Sequence, residues 1–226
     1  MKISVIGTGK TGSKVVEMLG DRLAFAFDEN TPPKLEKLRQ SDAVIIFVPG
    51  ESVAQVLDLV IEASIPAAWG STGYNWPDDL DLRVKNAGTK WVLANNFSLG
   101  MNVVRKLIKT LAADSNSLND PKFQIHEVHH IHKKDAPSGT AVSWQKWLDK
   151  PVEITSARKG DVNGIHELTI TTGTEKITLK HEALDRTIFA EGAIWAAEQL
   201  VNNQQLSAGV HTFEALFDQT LKDYTR

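Results

Sequence analysis

The chain has 226 residues, 42% hydrophobic and 23% charged, which is enough to bury a core without disulfides or a structural metal. Its formal net charge of −3 argues against general nucleic-acid binding, and the absence of cysteine excludes thiol catalysis, cysteine-bound zinc and disulfides. No apolar run approaches the roughly 18 residues of a membrane span. The N-terminus has no signal-peptide pattern, so we expect a cytoplasmic protein.

The first hundred residues alternate strand and helix patterns. Short apolar runs predict strands over residues 2–6, 23–27, 43–48, 67–69 and 91–94, and spaced apolar residues predict helices over 11–19 and 53–63. This alternation, with short connections, predicts a doubly wound parallel α/β sheet of the Rossmann type.

The pattern changes after Ser98. Helical spacing runs from Leu99 to Leu111, and strand-like runs follow over residues 123–130, 152–156, 166–171 and 175–182, the last two joined by a predicted hairpin turn. Helices are predicted again over 189–200 and 213–221. We therefore predict a dinucleotide-binding domain of residues 1–98 and 186–226, with an inserted α+β domain of residues 99–185 whose sheet is mostly antiparallel.

A glycine-rich turn follows the first predicted strand, with the sequence Gly7-Thr8-Gly9-Lys10-Thr11-Gly12. Gly7 permits a tight turn, Gly9 lets the backbone approach a pyrophosphate, and Gly12 lets the next helix pack close to the strand. Asp28 ends the second strand, where a carboxylate accepts the ribose hydroxyls of NAD. A purely structural turn is the alternative, but the order of strand, turn, helix and acid predicts dinucleotide binding.

The acidic pair Asp28-Glu29 bears on the choice of cofactor. Two carboxylates would repel the 2′-phosphate of NADP, and Lys10 in the turn could offset only part of that repulsion. The sequence therefore predicts NADH or NADPH as the cofactor, with NADH favoured.

A second cluster combines histidines, lysines and a helix start. Four of the seven histidines, His126, His129, His130 and His132, precede Lys133-Lys134-Asp135, and Ser138-Gly139-Thr140 opens a predicted helix. The free N–H groups at a helix start can hold a carboxylate, while histidine and lysine supply positive charge and transferable protons. The cluster therefore suits a small anionic substrate that needs protonation.

Two alternatives compete with this interpretation. On a strand, His126 and His130 would share one face and His129 the other, and imidazoles bind zinc. No carboxylate spacing completes a known metal pattern, however, and Lys133 with Lys134 would oppose a cation, so we predict no metal. The other alternative is that the histidines are solvated strand-edge residues and Ser138 is only a helix cap.

The run EVHHIHKKDAPSGTA, residues 127–141, closely resembles the signature of the 4-hydroxy-tetrahydrodipicolinate reductase (dihydrodipicolinate reductase) family of lysine and diaminopimelate biosynthesis. Further segments resemble the family over most of the chain: GSTG at 70–73, NFSLGMN at 96–102, GDVNGIH at 160–166 and RTIFAEGA at 186–193. The chain departs from the family in having Ile6 where many members have a first loop glycine, in having Glu29 where a basic residue is common, and in being a short form.

The resemblance implies roles for individual residues. His129 would be the catalytic acid/base and Lys133 the proton donor. The substrate carboxylates would be bound by His130, Ser138, Gly139 and Thr140. The dinucleotide would be contacted by Gly7, Thr8, Gly9, Lys10, Thr11, Gly12, Asp28, Gly70, Ser71, Thr72, Ala94, Asn95, Asn96 and Phe97, with Arg186 and Phe189 near the cofactor or the domain hinge.

The resemblance also implies a reaction and an assembly. The substrate would be a cyclic imine dicarboxylate that loses its hydroxyl as water, takes a hydride from NAD(P)H at ring C4 and a proton at C3, and becomes tetrahydrodipicolinate. The enzyme would be a homotetramer assembled through the sheets of its second domain. The rivals are another two-domain NAD(P)-dependent dehydrogenase and a non-catalytic NAD-binding sensor, and the presence of His129 and Lys133 argues against the sensor.

Overall fold

The computed structural model describes residues 1–224, so the last two residues of the predicted first domain lie outside the described residues. The chain divides into two compact units. The first contains residues Met1–Ser98 and the chain from Thr187 onward, and the second contains Leu99–Arg186. No helix among the described residues is long and apolar enough to cross a membrane.

The first unit is built on a six-stranded parallel sheet with the order β10-β5-β4-β3-β1-β2, numbered along the whole chain. Its strands are β1 (Ile3–Ile6), β2 (Leu23–Phe27), β3 (Ala43–Ile46), β4 (Ala67–Trp69), β5 (Lys90–Leu93) and β10 (Gly209–Thr212). Its helices are α1 (Gly12–Leu19), α2 (Leu35–Leu38), α3 (Gly50–Ala63), α4 (Leu80–Asn86), α7 (Thr187–Asn202) and α8 (Phe213–Tyr224). This confirms the predicted Rossmann-type sheet.

The position of β1 explains where a ligand can bind in this unit. From β1 the chain passes to β2 on one side of the sheet and to β3 on the other, so the strand order reverses between β1 and β3. In open parallel sheets, ligands bind beyond the carboxyl ends of the strands at such a reversal. All residues of β1 and β3 are buried, as expected for strands covered by helices on both faces.

The second unit contains a four-stranded sheet with the order β7-β6-β8-β9. Its strands are β6 (Lys122–His129), β7 (Glu153–Arg158), β8 (Ile165–Thr171) and β9 (Lys176–Glu182), and its helices are α5 (Leu99–Asp114) and α6 (Gly139–Leu148). The pair β6–β7 is parallel and the other two pairs are antiparallel. Ile108 of α5 and Trp144 of α6 are buried with Ile125 and Leu168 of the sheet, so the helices cover one face of it.

The structure adds three elements that the sequence patterns missed, α2, α4 and β10. Helix α2 is one turn long and follows Pro32-Pro33, which hid it. Strand β10 is an edge strand of four residues with no run of apolar side chains, and it pairs only with β5. The other predicted elements are present with ends shifted by up to three residues. Strand β6 ends at His129, so His130, which was predicted to belong to it, follows the strand.

Candidate active site

A cleft of about 660 Å³ lies at the carboxyl ends of the strands of the first unit. Its walls come from the segments that follow β1, β2 and β3 and from one side of α3. The structure thereby brings together Gly7, Thr8, Gly9 and Asp28, four residues predicted to bind the dinucleotide. Lys10 and Thr11 precede α1 and Gly12 begins it, and none of the three is among the lining residues.

Three glycines of the turn meet different surroundings. Gly7 has φ +90°, and a Cβ there would lie 2.3 Å from the Phe47 carbonyl oxygen. A Cβ on Gly12 would lie 1.7 Å from the carbonyl oxygen of Gly7, so α1 can approach the turn only without a side chain. A Cβ on Gly9 would meet nothing within 4 Å. The backbone at Gly9 is therefore open toward the cleft, as the approach of a pyrophosphate requires.

Asp28 is exposed at the end of β2 and is held by its own loop. Its Oδ1 accepts hydrogen bonds from the backbone N–H groups of Asn30 (3.0 Å) and Thr31 (2.8 Å). Among the described residues, no donor bonds Oδ2, which leaves this oxygen for a hydroxyl ligand. Glu29 lines the same cleft, and Lys10 does not, so the lining near the second strand is acidic. These residues fit the ribose end of a dinucleotide.

The segments that follow β4 and β5 begin at the same edge of the sheet as the segment that follows β3, because these strands are parallel. The Phe97 ring is buried 5.9 Å from the ring of Phe47, which lines the cleft, and a Cβ on Gly70 would lie 2.2 Å from Phe47. Ser71 is buried and Thr72 exposed. Thus the predicted cofactor residues Gly70, Ser71, Thr72, Ala94, Asn95, Asn96 and Phe97 lie on two neighbouring loops but do not line the cleft themselves.

Arg186 and Phe189 were predicted to lie near the cofactor or a hinge. Arg186 is exposed at the end of the second unit, and Phe189 is half-buried in α7 of the first unit. Neither side chain lines the cleft. Their prediction stays a prediction.

In the second unit, the end of β6 carries a buried acid and a buried histidine. Residues two apart on a strand face the same side, and the exposed fractions of Glu127 and His129 are only 0% and 8%. His129 Nδ1 is hydrogen-bonded to Glu127 Oε2, and Arg158 Nη1 donates to Glu127 Oε1 at 3.0 Å. His126 lies on the opposite, exposed face and contacts Thr155.

Charge and burial act against each other in this pair. Burial works to raise the pKa of Glu127, but hydrogen bonds from Ser156, His129 and Arg158 hold that pKa below its usual range. Burial lowers the pKa of His129, and the hydrogen bond to Glu127 opposes that shift only in part. The site therefore holds an ionised carboxylate beside an imidazole that gives up its proton readily.

The start of α6 is tied to the same site through a second histidine. Ser138 caps the helix, and its Oγ accepts from the Ala141 N–H at 3.2 Å and contacts His166 Nε2 at 3.1 Å. The His166 ring lies 5.0 Å from the His129 ring. In the first turn, the N–H groups of Gly139 and Thr140 have no intrahelical acceptor, so they can hold an anion.

Burial, followed by the nearby charge of His129, lowers the pKa of His166 to about 3. His166 is therefore neutral at physiological pH. It contributes hydrogen bonding to Ser138 but no positive charge toward an anion.

The loop after β6 carries Lys133 and His130. Lys133 Nζ donates to Asp135 Oδ1 at 2.8 Å, and this hydrogen bond lowers the pKa of Asp135. The Lys133 side chain is 22% exposed. His130 Nδ1 is buried without a hydrogen-bond partner among the described residues, and its ring lies 6.2 Å from that of His132. The structure thus places the predicted catalytic lysine on a loop that stays accessible to a ligand.

Glu127, His129 and His166 have ligand atoms within 4.8 Å of one another, so they form a group that could hold a metal ion. Arg158 already neutralises the Glu127 carboxylate, and the other carboxylate oxygen is bonded to His129 Nδ1. A cation would have to displace both interactions and would face the charge of Arg158. The arrangement is a hydrogen-bonded network, and we assign no metal to it.

Glu127, Arg158 and His166 were not predicted as site residues. Glu127 had a signal that could have found it, because strand alternation places it on the same face as His129. His166 stands in the segment GDVNGIH, whose resemblance to the family gave no role. Arg158 gave no local signal, since its contacts with Glu127 come from a strand 31 residues further along.

Known proteins resemble this chain in sequence. Residues 100–217 match the family model for the C-terminus of dihydrodipicolinate reductase. The 4-hydroxy-tetrahydrodipicolinate reductase of Bdellovibrio bacteriovorus is 34% identical over 214 residues, covering 90% of this chain and 92% of that protein. The protein of the same name from Christiangramia forsetii is 29% identical over 99% of this chain and 100% of its own length.

Solved structures show the same fold. The dipicolinate-bound dihydrodipicolinate reductase from Paenisporosarcina sp. TG-14 superposes with a TM-score of 0.75 at 16% identity, covering 96% of this chain and 98% of that one. Aspartate semialdehyde dehydrogenase II from Vibrio cholerae superposes with a TM-score of 0.56 at 12% identity, covering 90% and 99%. At these identities the likeness establishes the fold alone.

Proposed function

The chain belongs to the dihydrodipicolinate reductase family, the 4-hydroxy-tetrahydrodipicolinate reductases, and we propose on that premise which of its residues carry out the reduction. It is an NAD(P)H-dependent oxidoreductase that converts a cyclic imine dicarboxylate into tetrahydrodipicolinate and water. The observation that carries the assignment of roles is the network in which buried Glu127, His129 and His166 meet the start of α6.

The substrate carboxylates are bound at the start of α6. The free N–H groups of Gly139 and Thr140, the hydroxyl of Ser138 and the ring of His130 supply donors for an anion. Capping of the helix by Ser138 and its contact with His166 support this assignment, since they fix the helix start. A bound carboxylate there aligns the ring for reaction, which is an orientation effect.

Lys133 and His129 handle the protons. The cofactor, when bound, supplies a hydride for ring C4 of the substrate. The substrate loses its hydroxyl as water, and reduction is completed by a proton delivered to C3. Lys133 is the proton donor, which its partial exposure and its charge support. His129 acts as acid/base, and its lowered pKa keeps the imidazole largely neutral at physiological pH, so the ring can accept a proton.

The cofactor is held in the cleft of the first unit, with its pyrophosphate at the turn Gly7–Gly12 and its ribose at Asp28. The open backbone at Gly9 and the unbonded Oδ2 of Asp28 support this placement. The acidic lining by Asp28 and Glu29 disfavours a 2′-phosphate, so NADH is the preferred cofactor. The segments 70–72 and 94–97 contribute from the neighbouring loops.

The active enzyme is a homotetramer in the cytoplasm, assembled through the four-stranded sheet. On the face of the sheet opposite Glu127, three neighbouring strands carry the half-buried apolar side chains of Ala157, Val128 and Ile165 side by side. An apolar row on a sheet face is suited to a second copy of the same face. Sedimentation analysis tests this: a tetramer supports it, and a monomer at assay concentrations contradicts it.

A coupled assay tests the function. Substrate made freshly from pyruvate and aspartate semialdehyde by the preceding synthase is mixed with the protein, and loss of NADH and NADPH absorbance is followed separately. We expect substrate-dependent oxidation that is faster with NADH. Folded protein that binds NADH but oxidises neither cofactor would instead favour another substrate or a sensor. Faster oxidation of NADPH would contradict the cofactor preference alone.

A further inference from the structure

The buried carboxylate of Glu127 has both oxygens engaged by different partners. Oε2 is bonded to His129 Nδ1, and Oε1 accepts from Arg158 Nη1 at 3.0 Å. Glu127 is fully buried, and a buried carboxylate is retained only when it is paired and hydrogen-bonded. It contacts none of the groups proposed to bind the substrate carboxylates, so its position points to an indirect role.

The pairing decides which nitrogen of His129 faces a ligand. An ionised carboxylate only accepts hydrogen bonds, so Nδ1 must donate and carries a proton in either charge state of the ring. Proton exchange is then left to Nε2, which bonds to no described residue. A Cβ on Gly164 would lie 3.1 Å from Nε2, so a glycine at this position leaves that nitrogen accessible.

Arg158 links the acid to the loop that carries Lys133. Besides Glu127, it donates through Nε to the Lys133 carbonyl at 3.2 Å and through Nη2 to the Asp135 carbonyl. A planar guanidinium holds several acceptors in fixed directions, which a lysine cannot do. One side chain therefore fixes both the partner of His129 and the backbone around Lys133.

We propose that Glu127 and Arg158 are positioning residues for the reduction. Glu127 holds His129 in the tautomer with the proton on Nδ1 and Nε2 toward the substrate, and Arg158 holds Glu127 together with the loop of Lys133. This inference rests on the proposed role of His129 as acid/base. It assigns a function to two residues that do not themselves touch the reacting atoms.

The tautomer can be measured without any assay of activity. Nitrogen–proton correlation spectra of the ¹⁵N-histidine-labelled protein distinguish Nδ1–H from Nε2–H rings, and a His129→Gln variant assigns the signal. We expect His129 to be the Nδ1–H tautomer in its neutral form. A ring protonated on Nε2 would overturn the proposal, whatever the reductase assay shows.

The second test replaces the acid. Glu127→Gln removes the charge beside His129, and we expect kcat to fall about 10- to 100-fold, as for other residues that orient an imidazole. Glu127→Asp keeps the charge and should restore part of the loss. The matched control is Glu175→Gln in the turn between β8 and β9, which changes an exposed acid of the same unit and should leave kcat unchanged.

A pH profile separates positioning from mere structural support. The groups that face His129 are Glu127 on its own strand, Arg158 on β7, Lys133 on the loop and His166 on β8, with His181 of β9 behind His166. Only Glu127 is negative among these groups, so its replacement by glutamine should lower the pKa of His129. The part of the kcat/KM profile that reports the titration of His129 should therefore move to lower pH. An unchanged profile and a kcat within twofold of the parent would overturn the proposal.

Folding must be checked separately, because Glu127→Gln leaves the charge of Arg158 without its partner. Thermal unfolding identifies a variant that fails to fold. In that case the tautomer of His129 in the parent protein tests the positioning role of Glu127. If the parent has the Nδ1–H tautomer but oxidises no cofactor with the substrate, the positioning geometry stands and the proposed reaction fails.

Discussion

The two units build their sites from different parts of the chain. The cleft of the first unit is made by turns at strand ends, where glycines bring backbone close to backbone and one carboxylate stands at the rim. The site of the second unit is made by buried and half-buried side chains from three strands and a helix start, bonded to one another. One site depends on local backbone geometry, and the other depends on a network that exists only after the sheet has formed.

This difference predicts how each site tolerates change. A backbone site fails when a side chain intrudes, whereas a buried polar network fails when any one partner is removed and leaves another uncompensated. Substitutions in the two units should therefore be separable, with cofactor binding lost in one case and proton transfer in the other.

The largest effect is expected from Lys133→Ala in the second unit. Loss of a positioned proton donor should lower kcat by about 100- to 10,000-fold, while binding of NADH to the first unit stays unchanged. Steady-state kinetics and NADH titration measure the two quantities, and the exposed neighbour Lys134→Ala is the control. A Lys133→Ala enzyme with near-normal kcat would remove the proposed role of this lysine.

A smaller and opposite pattern is expected from Asp28→Ala. Because hydrogen bonds to a charged group contribute about 1.5–3 kcal/mol, affinity for NADH should fall by roughly 10- to 100-fold while kcat at saturating cofactor changes little. Glu36→Gln removes an exposed acid elsewhere in the unit and should leave NADH affinity unchanged. Equal NADH affinity in Asp28→Ala and the parent would contradict ribose binding by Asp28.

The glycines test the backbone character of the first site. Gly12→Ala places a Cβ against the Gly7 carbonyl and should lower the free energy of unfolding by about 1–3 kcal/mol through overpacking. Gly9→Ala has open space for its Cβ, so it should spare stability and weaken NADH binding instead. Thermal unfolding measures the loss of stability expected for Gly12→Ala, and NADH titration measures the loss of affinity expected for Gly9→Ala. Equal stability of the two variants would contradict this difference between the two glycines.

The smallest effect concerns pH. His166 has a pKa of about 3 in the folded protein, below its ordinary value of 6.5, so the unfolded chain binds the proton first as pH falls. The contribution of neutral His166 to the free energy of unfolding is present above about pH 6.5 and is lost as pH falls toward 3. Between pH 6.5 and 5.5 the free energy of unfolding should fall by about 1 kcal/mol from this group. Denaturant unfolding should show a weaker pH dependence for His166→Gln and an unchanged one for exposed His126→Gln. If the free energy of unfolding depends on pH in the same way in His166→Gln and in the parent, the expected role of His166 is wrong.

The sequence by itself determined the features that depend on near neighbours along the chain. Strand and helix periodicity predicted most of both sheets, the glycine spacing with Asp28 predicted the turn that lines the cleft, and Ser138 was recognised as a helix start. Each of these follows from the backbone preferences of a few consecutive residues.

Only the tertiary structure decided which side chains meet. Arg158 and Glu127 are 31 residues apart and touch because β7 pairs with β6 in the sheet. His166 and Ser138 are 28 residues apart and touch because α6 packs on the sheet that contains β8. Strand order and register set these contacts, and no local pattern encodes them. For that reason the sequence indicated His129 as a candidate acid/base, and strand alternation could have indicated Glu127 on the same face, while the pairing of Glu127 with Arg158 became visible only in the folded chain.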